Sequence, residues 1–350
     1  SWIINLSGVL VFALILYMGG AEAWKQIAQA DWRYVLLAFG ATLLWNLVAA
    51  YRWSLIAEQV TDQPTPCPFR YYFSYQMIGM LIGQVVPITV GMLGGRPAAL
   101  SLSREVPFRR AALSVFLDKA FDLLMALLVA IPAVLFLAGW VDLTPVLGSI
   151  GVLLILALIL LGWQYEALVQ RFGRTASRLA QPLARVPVFG RRLVRRLPDQ
   201  LERLATGTFV PNGLAVRAFF LTVVMYSLLS IRLFFIAQAL RLDIPWYLLA
   251  LGASVAQLAL IFSVTPGSLG FLEGGWAAVL VGLGGLSQVQ FLYFVIGRRA
   301  FVLVFTLIDT LLAFGWIRES PAHLFRAVLQ ASRQPEGSRP EPPRSEVDPV

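Results

Sequence analysis

Two apolar stretches of this chain, roughly residues 71–103 and 247–286, are each interrupted near the middle by proline and glycine, and no other feature constrains the fold as much. Six uninterrupted apolar stretches surround them, at roughly 2–19, 35–57, 108–137, 145–163, 213–240 and 288–316. A hydrocarbon core about 30 Å thick takes a helix of about 20 residues, so the six read as full crossings. Hydrocarbon satisfies no unpaired amide or carbonyl, so the two broken stretches must be buried in protein or line a wet cavity. The expected fold is an all-α polytopic membrane protein with six full transmembrane helices plus two broken re-entrant helical hairpins. At 58% hydrophobic and 13% charged residues, the chain is more apolar than a soluble core of this length requires.

The basic residues set the expected orientation. Between 164 and 210 lie nine arginines (171, 174, 178, 185, 191, 192, 195, 196 and 203) against Glu166, Asp199 and Glu202, which places that loop in the cytoplasm. Threading outward puts 58–70 and 104–110 on the same side and leaves only Lys25, Arg33 and Arg241 outside. Both termini are then cytoplasmic. Leucines 179, 183, 193, 197, 201 and 204 alternate with the loop arginines at helical spacing, as in helices lying in the membrane interface. The net charge of +9 follows the positive-inside bias and not nucleic-acid binding, since no recognition module is present. One cysteine, Cys67, and one histidine, His323, give no disulfide framework, no metal cluster and no histidine-based catalysis. The chain opens Ser1-Trp2, which reads as a trimmed start without a cleavable signal peptide. Residues 318–350 form a tail, expected to be disordered from about 332 by its Pro, Ser and charge content.

The two broken stretches resemble each other. "VVPITVGMLGG" (85–95) and "VTPGSLGFLEGG" (264–275) align on Pro87 and Pro266, with Gly91 on Gly270 and, after one inserted residue (Glu273), Gly94 and Gly95 on Gly274 and Gly275. Lys119 and Arg299 each follow the second of those glycine pairs by 24 residues, and Arg52 and Arg232 precede the prolines by 35 and 34. Repeat A spans about 35–137 and repeat B about 213–316, within one domain of residues 1–317. By the charge-derived orientation the first hairpin enters from the cytoplasm and the second from outside, so the repeat is inverted. Inverted repeats with broken helices near the midplane are the pattern of alternating-access transporters.

Ionised groups inside a span cost about 2.5–3.5 kcal/mol even on a lenient scale, so they are expected to pair or face water. Here they are Arg52, Asp118, Lys119, Asp122, Arg232, Glu273, Arg298, Arg299 and Asp309, with Arg96 just past the first break. Asp118 and Asp122 share a helical face with Lys119 flanking them. Glu273 is placed to pair with Arg298 and Arg299, and Asp309 with a nearby cation. Arg52 either joins a buried site or snorkels from its end of the span. Together with Gly94, Gly95, Pro266, Gly267 and Gly270 at the breaks, these residues, apart from Asp309, make the candidate substrate-binding set. No nucleotide-binding motif occurs, and neither a catalytic constellation nor a cofactor site is expected.

This pattern resembles the transmembrane flippase region of the lysylphosphatidylglycerol synthase/flippase family. Pro266, Gly267, Gly270 and Glu273 match the family's Pro-Gly-x-x-Gly-x-x-Glu motif, and Arg52-Trp53 in "YRWSLI" matches its buried arginine followed by tryptophan. Asp118-Lys119 resembles its aspartate-arginine pair. In place of the family's Gly-Gly-Asp-x-x-Arg, the chain reads "GGRPAA", with Arg96 where the acid would stand and Ala99 where the base would. The resemblance implies a flippase of the bacterial inner membrane that moves a phospholipid, or another anionic or aminoacylated headgroup, between leaflets. It also implies membrane lipids as partners and no synthase activity; the sequence leaves a homo-oligomer open. An enzyme or accessory factor acting on polyprenyl-phosphate-linked sugars, or a scaffold that transports nothing, is the alternative reading.

The inverted arrangement has a direct test. In a Cys67→Ser background, single cysteines placed near Gly94 and near Gly270 are expected to react with a membrane-impermeant maleimide from opposite sides of the bilayer. Reaction from one side for both would refute it.

Overall fold

The computed structural model describes residues 22–61, 67–85, 91–104, 106–183, 210–261, 265 and 268–317. Its regular elements are helices, with no strand among the described residues. After a helical turn over 22–28 come α1 (Trp32–Thr61), α2 (Phe69–Val85), a π-helical turn (Gly91–Gly95), α3 (Arg96–Arg104) and α4 (Phe108–Leu137). These are followed by α5 (Leu143–Leu183), α6 (Asn212–Ala239), α7 (Trp246–Ile261), α8 (Phe271–Leu280) and α9 (Gln288–Ile317).

Five of these helices, α1, α4, α5, α6 and α9, are long and apolar enough to cross a membrane, and they coincide with five of the six expected crossings. The sixth, 2–19, lies outside the described residues, as do the loop beyond Leu183 and the tail from 318. The helices expected within 164–210 begin as an extension of α5, which bends at Gln164 (φ −133°, ψ 21°) and continues to Leu183.

The distribution of polarity is that of a protein dissolved in lipid. Val152, Ile155 and Ile159 on α5 and Leu303, Leu307 and Leu311 on α9 are exposed at helical spacing. Arg52, Arg96, Asn46, Asp118, Thr222 and Asp309 are buried. Only a solvent without hydrogen-bonding capacity selects that arrangement.

Helix α1 is the centre of the bundle. It runs antiparallel to α6: the Asp31 amide donates to the Ala239 carbonyl at 3.0 Å, Tyr34 meets Phe235, and Arg52 reaches Thr222. Buried alanines at 38, 41, 49 and 50 on α1 and at 215, 218 and 237 on α6 let helices approach closely, as small residues do in membranes. Against α9 the same helix runs parallel, through Phe39 with Phe305 and Asn46 with Asp309.

Both broken stretches double back on themselves. A Cβ on Gly91 would lie 2.6 Å from the Gly83 amide nitrogen and 2.8 Å from the Gly79 carbonyl oxygen, so the π-helical turn rests backbone to backbone on α2. In the second stretch a Cβ on Gly275 would come within 2.9 Å of Ala256 Cα, and one on Gly252 within 2.5 Å of the Trp276 ring. Glycine is required at these positions because nothing larger fits between the arms.

Overpacking a filled interior costs about 1–3 kcal/mol, and Gly91→Ala, which collides with backbone, is expected to lower stability by at least that much. Gly94→Ala, where a Cβ meets nothing within 4 Å, should stay within about 0.5 kcal/mol of the parent. Thermal unfolding of both variants in the same detergent measures the difference.

Candidate functional site

The buried charges collect in two clusters, one for each broken stretch. The first is built on Arg52, fully buried on α1. Its Nε donates to Asp118 Oδ1 at 2.9 Å, and its Nη1 lies 2.7 Å from Asp122 Oδ1 and donates to Thr222 Oγ1 at 2.6 Å. Asp118 and Asp122 stand one helical turn apart on α4, which is why one guanidinium reaches both. Arg96, at the start of α3, donates to the other Asp118 oxygen at 3.0 Å and lays its guanidinium over the Trp53 ring at 4.2 Å. Lys119 Nζ closes on Asp122 Oδ2 at 2.7 Å. The Tyr226 hydroxyl donates to the Asp122 carbonyl, and Trp53 Nε1 to Ser114 Oγ.

Arg52 therefore does not snorkel. It points inward, and Arg96 of "GGRPAA" completes its surroundings by holding the second oxygen of Asp118. Three cations meet two carboxylates here, both carboxylates are ion-paired, and four helices are tied together, while Arg52 Nη2, Arg96 Nε and Arg96 Nη2 are buried without a hydrogen-bond partner among the described residues. Such an arrangement is chiefly a structural joint.

The second cluster is less balanced. Glu273 sits in the first turn of α8, where its Oε2 accepts the Gly270 amide at 2.7 Å and so caps the helix; Gly270 takes φ 85°, a conformation that favours glycine. Its Oε1 accepts from Arg299 Nε, and Arg298 Nη2 lies 4.0 Å away. Arg298 approaches the Trp276 ring at 5.9 Å, and Arg232 approaches Trp45 at 5.7 Å. Arg232 is close enough to Arg298 for the two cations to repel. Arg298 and Arg299 thus share a single carboxylate, and among the described residues Arg232 has no ion pair. Arg232 Nε, Arg298 Nε and Arg298 Nη2 are buried with no hydrogen-bond partner among the described residues. Buried donors without acceptors, beside excess positive charge, suit an anion.

Of the candidate set, the structure brings Arg52, Arg96, Asp118, Lys119 and Asp122 into the first cluster and Arg232, Gly270, Glu273, Arg298 and Arg299 into the second. Gly94 and Gly95 touch neither through a side chain: Gly94 borders open space, and Gly95 packs against Ile82. Pro266 and Gly267 lie outside the described residues. Asp309 has no cation beside it, contrary to expectation, because its place opposite α1 presents Asn46, whose Nδ2 donates to it at 2.6 Å. Sequence reasoning missed Thr222, although Thr42 and Thr222 are 180 residues apart, as are Arg52 and Arg232, and each bonds back to an alanine carbonyl one turn earlier. Among the described residues no three His, Cys, Asp or Glu side chains converge as a metal site.

Comparison with known proteins reaches the same part of sequence space. The family described as "Lysylphosphatidylglycerol synthase TM region" matches residues 4–308. The chain belongs to that family. Two relatives from Methanothermobacter thermautotrophicus, both described as "UPF0104 membrane protein", are 23% identical over 300 residues and 24% identical over 303 residues. Each alignment covers 80% of this chain and 82% of the relative. No solved structure matches the chain. Within this chain the two clusters differ in charge: three cations meet two carboxylates in the first, and two cations share one carboxylate in the second.

That difference predicts opposite responses to one substitution. Breaking a buried pair costs about 3–5 kcal/mol, so Arg52→Met should destabilise by about that amount in detergent melts. Arg232→Met removes a buried cation that has no carboxylate of its own and should be neutral or stabilising.

Proposed function

We propose that this protein carries an anionic lipid headgroup between the leaflets of a bilayer by alternating access, with the acyl chains left in the surrounding lipid. The observation that carries the reading is the second cluster. Buried Arg298 and part-buried Arg299 share one carboxylate, buried Arg232 has no ion pair among the described residues, and three nitrogens of Arg232 and Arg298 are buried without acceptors. A phosphate or carboxylate headgroup supplies both the missing charge and the missing acceptors. In this reading Arg232, Arg298 and Arg299 bind the headgroup, and Glu273 orients Arg299 while limiting the affinity, so that the lipid can also leave.

The inverted repeat supports this reading. Helix α1 of the first unit packs antiparallel to α6 of the second, as an in-plane two-fold axis requires. Offsetting the chain by 180 residues relates Arg52 to Arg232, Thr42 to Thr222, Asp118 to Arg298 and Lys119 to Arg299. In this reading one unit carries a structural joint and the other the binding site. With the arginine-rich 164–210 segment in the cytoplasm, both termini are cytoplasmic as well. The family's description, naming a lysylphosphatidylglycerol synthase, is consistent with a lipid as the cargo.

The test is transbilayer movement of a fluorescent phosphatidylglycerol in proteoliposomes. Hydrogen bonds to charged groups contribute about 1.5–3 kcal/mol. Since 1.36 kcal/mol is a factor of ten in rate, Arg298→Gln and Glu273→Gln should each slow movement about ten- to a hundredfold. Unchanged rates in both variants would remove the second cluster from the mechanism.

A further inference from the structure

The contact between α1 and α9 holds a buried acid that the two charged clusters do not use. Asp309 is fully buried and Asn46 is 1% exposed. Asn46 Nδ2 donates to Asp309 Oδ2 at 2.6 Å. The remaining oxygen of each side chain, Asn46 Oδ1 and Asp309 Oδ1, is buried without a hydrogen-bond partner. The neighbouring hydroxyls cannot supply the missing donor, because each is already committed along its own helix: Thr42 to the Ala38 carbonyl, Thr306 to Val302 and Thr310 to Thr306.

No charge compensates the acid. The charged and titratable side chains on the elements packed against α9 are Arg33, Tyr34, Tyr51, Arg52 and Glu58 on α1, Arg70, Tyr71, Tyr72 and Tyr75 on α2, Arg217, Tyr226 and Arg232 on α6, and Glu273 on α8; α9 itself adds Tyr293, Arg298 and Arg299. Among the described residues, none meets Asp309 in a hydrogen bond or ion pair; its partner is Asn46. An ionised carboxylate with one amide donor, in the interior of a membrane protein, is strongly disfavoured.

A single proton resolves the arrangement. Placed on Asp309 Oδ1 it turns that oxygen into a donor and gives Asn46 Oδ1 an acceptor's role, closing a two-bond acid–amide ring with the Nδ2 contact already present. We propose that Asp309 and Asn46 form a proton-binding site between α1 and α9, loaded in this conformation and discharged in another, which couples proton movement to the transport cycle. The reaction is a plain protonation, carboxylate plus H⁺ giving the carboxylic acid. A sodium ion suits the site less well: it would need several oxygens converging on it, and this pair brings two.

The coupling role rests on the transport reading above, whereas the proton site does not, and the experiment separates them. Infrared difference spectra of the full chain in lipid nanodiscs should show a protonated-carboxyl band at pH 7 that disappears on alkalinisation and is lost in Asp309→Asn. Absence of that band at pH 7, or its removal by NaCl at constant pH, would overturn the proton site. Should Asp309→Asn fail to fold, Asn46→Ser decides instead: the carboxyl band must shift to the position of a free acid, and an unshifted band overturns the ring. In proteoliposomes, a one-unit pH step changes proton activity tenfold, so movement of the fluorescent phosphatidylglycerol should respond by up to about tenfold in the parent. In Asp309→Asn it should not respond. Movement that responds equally in both proteins would overturn the coupling role. A parent that moves no lipid but shows the titrating band would sink the transport reading and leave the proton site standing.

Discussion

The contact of Arg52 with Asp118, Asp122 and Thr222 is the interaction on which the rest of the bundle is arranged. An arginine within a membrane span has no water to solvate it, so its N–H groups must find oxygens supplied by other helices. Meeting that demand fixes α1 against α4 and α6, and through Asp118 it also fixes the start of α3. The first broken stretch is held in place by this chain of contacts, because Arg96 follows directly on the π-helical turn. A charge that would be a liability on a lipid-facing surface thus determines which helices touch and in what register.

The same 180-residue spacing brings different charges in the second half of the chain. Where the first presents Asp118 and Lys119, the second presents Arg298 and Arg299, so one carboxylate has been exchanged for a guanidinium at an equivalent position. The exchange leaves the first cluster almost balanced and the second cationic. Glu273, the residue inserted at the second glycine elbow, offsets part of that excess and caps α8 in the same stroke.

Much of this was legible in the sequence, for identifiable reasons. Crossing helices are long and nearly uniform in polarity, so hydropathy alone finds α1, α4, α5, α6 and α9, while Pro and Gly locate the breaks. The pairing of Glu273 with Arg298 and Arg299 was expected from the cost of leaving charges unpaired within a span. What stayed hidden depends on rotational register between helices, which one chain's spacing does not reveal. Whether Arg52 turned inward or snorkelled hinged on the face that α4 and α6 present to it. The partner of Asp309 was misjudged for the same reason: the cations on α9 and α6 do not meet it, and the side chain facing it from α1 is an amide. Gly91 and Gly94 look alike in sequence, yet only the former is wedged against another backbone.

The antiparallel pair α1 and α6 is pinned at two widely separated heights, by the Asp31–Ala239 backbone bond near one end and by Arg52 with Thr222 well towards the other. The anchoring points on α1 are about 30 Å apart along the helix axis. A beam fastened twice can neither slide along nor swivel about its mate. Any rocking motion must therefore be carried by the elements hung on either side of it, with the crossed pair as a stationary fulcrum.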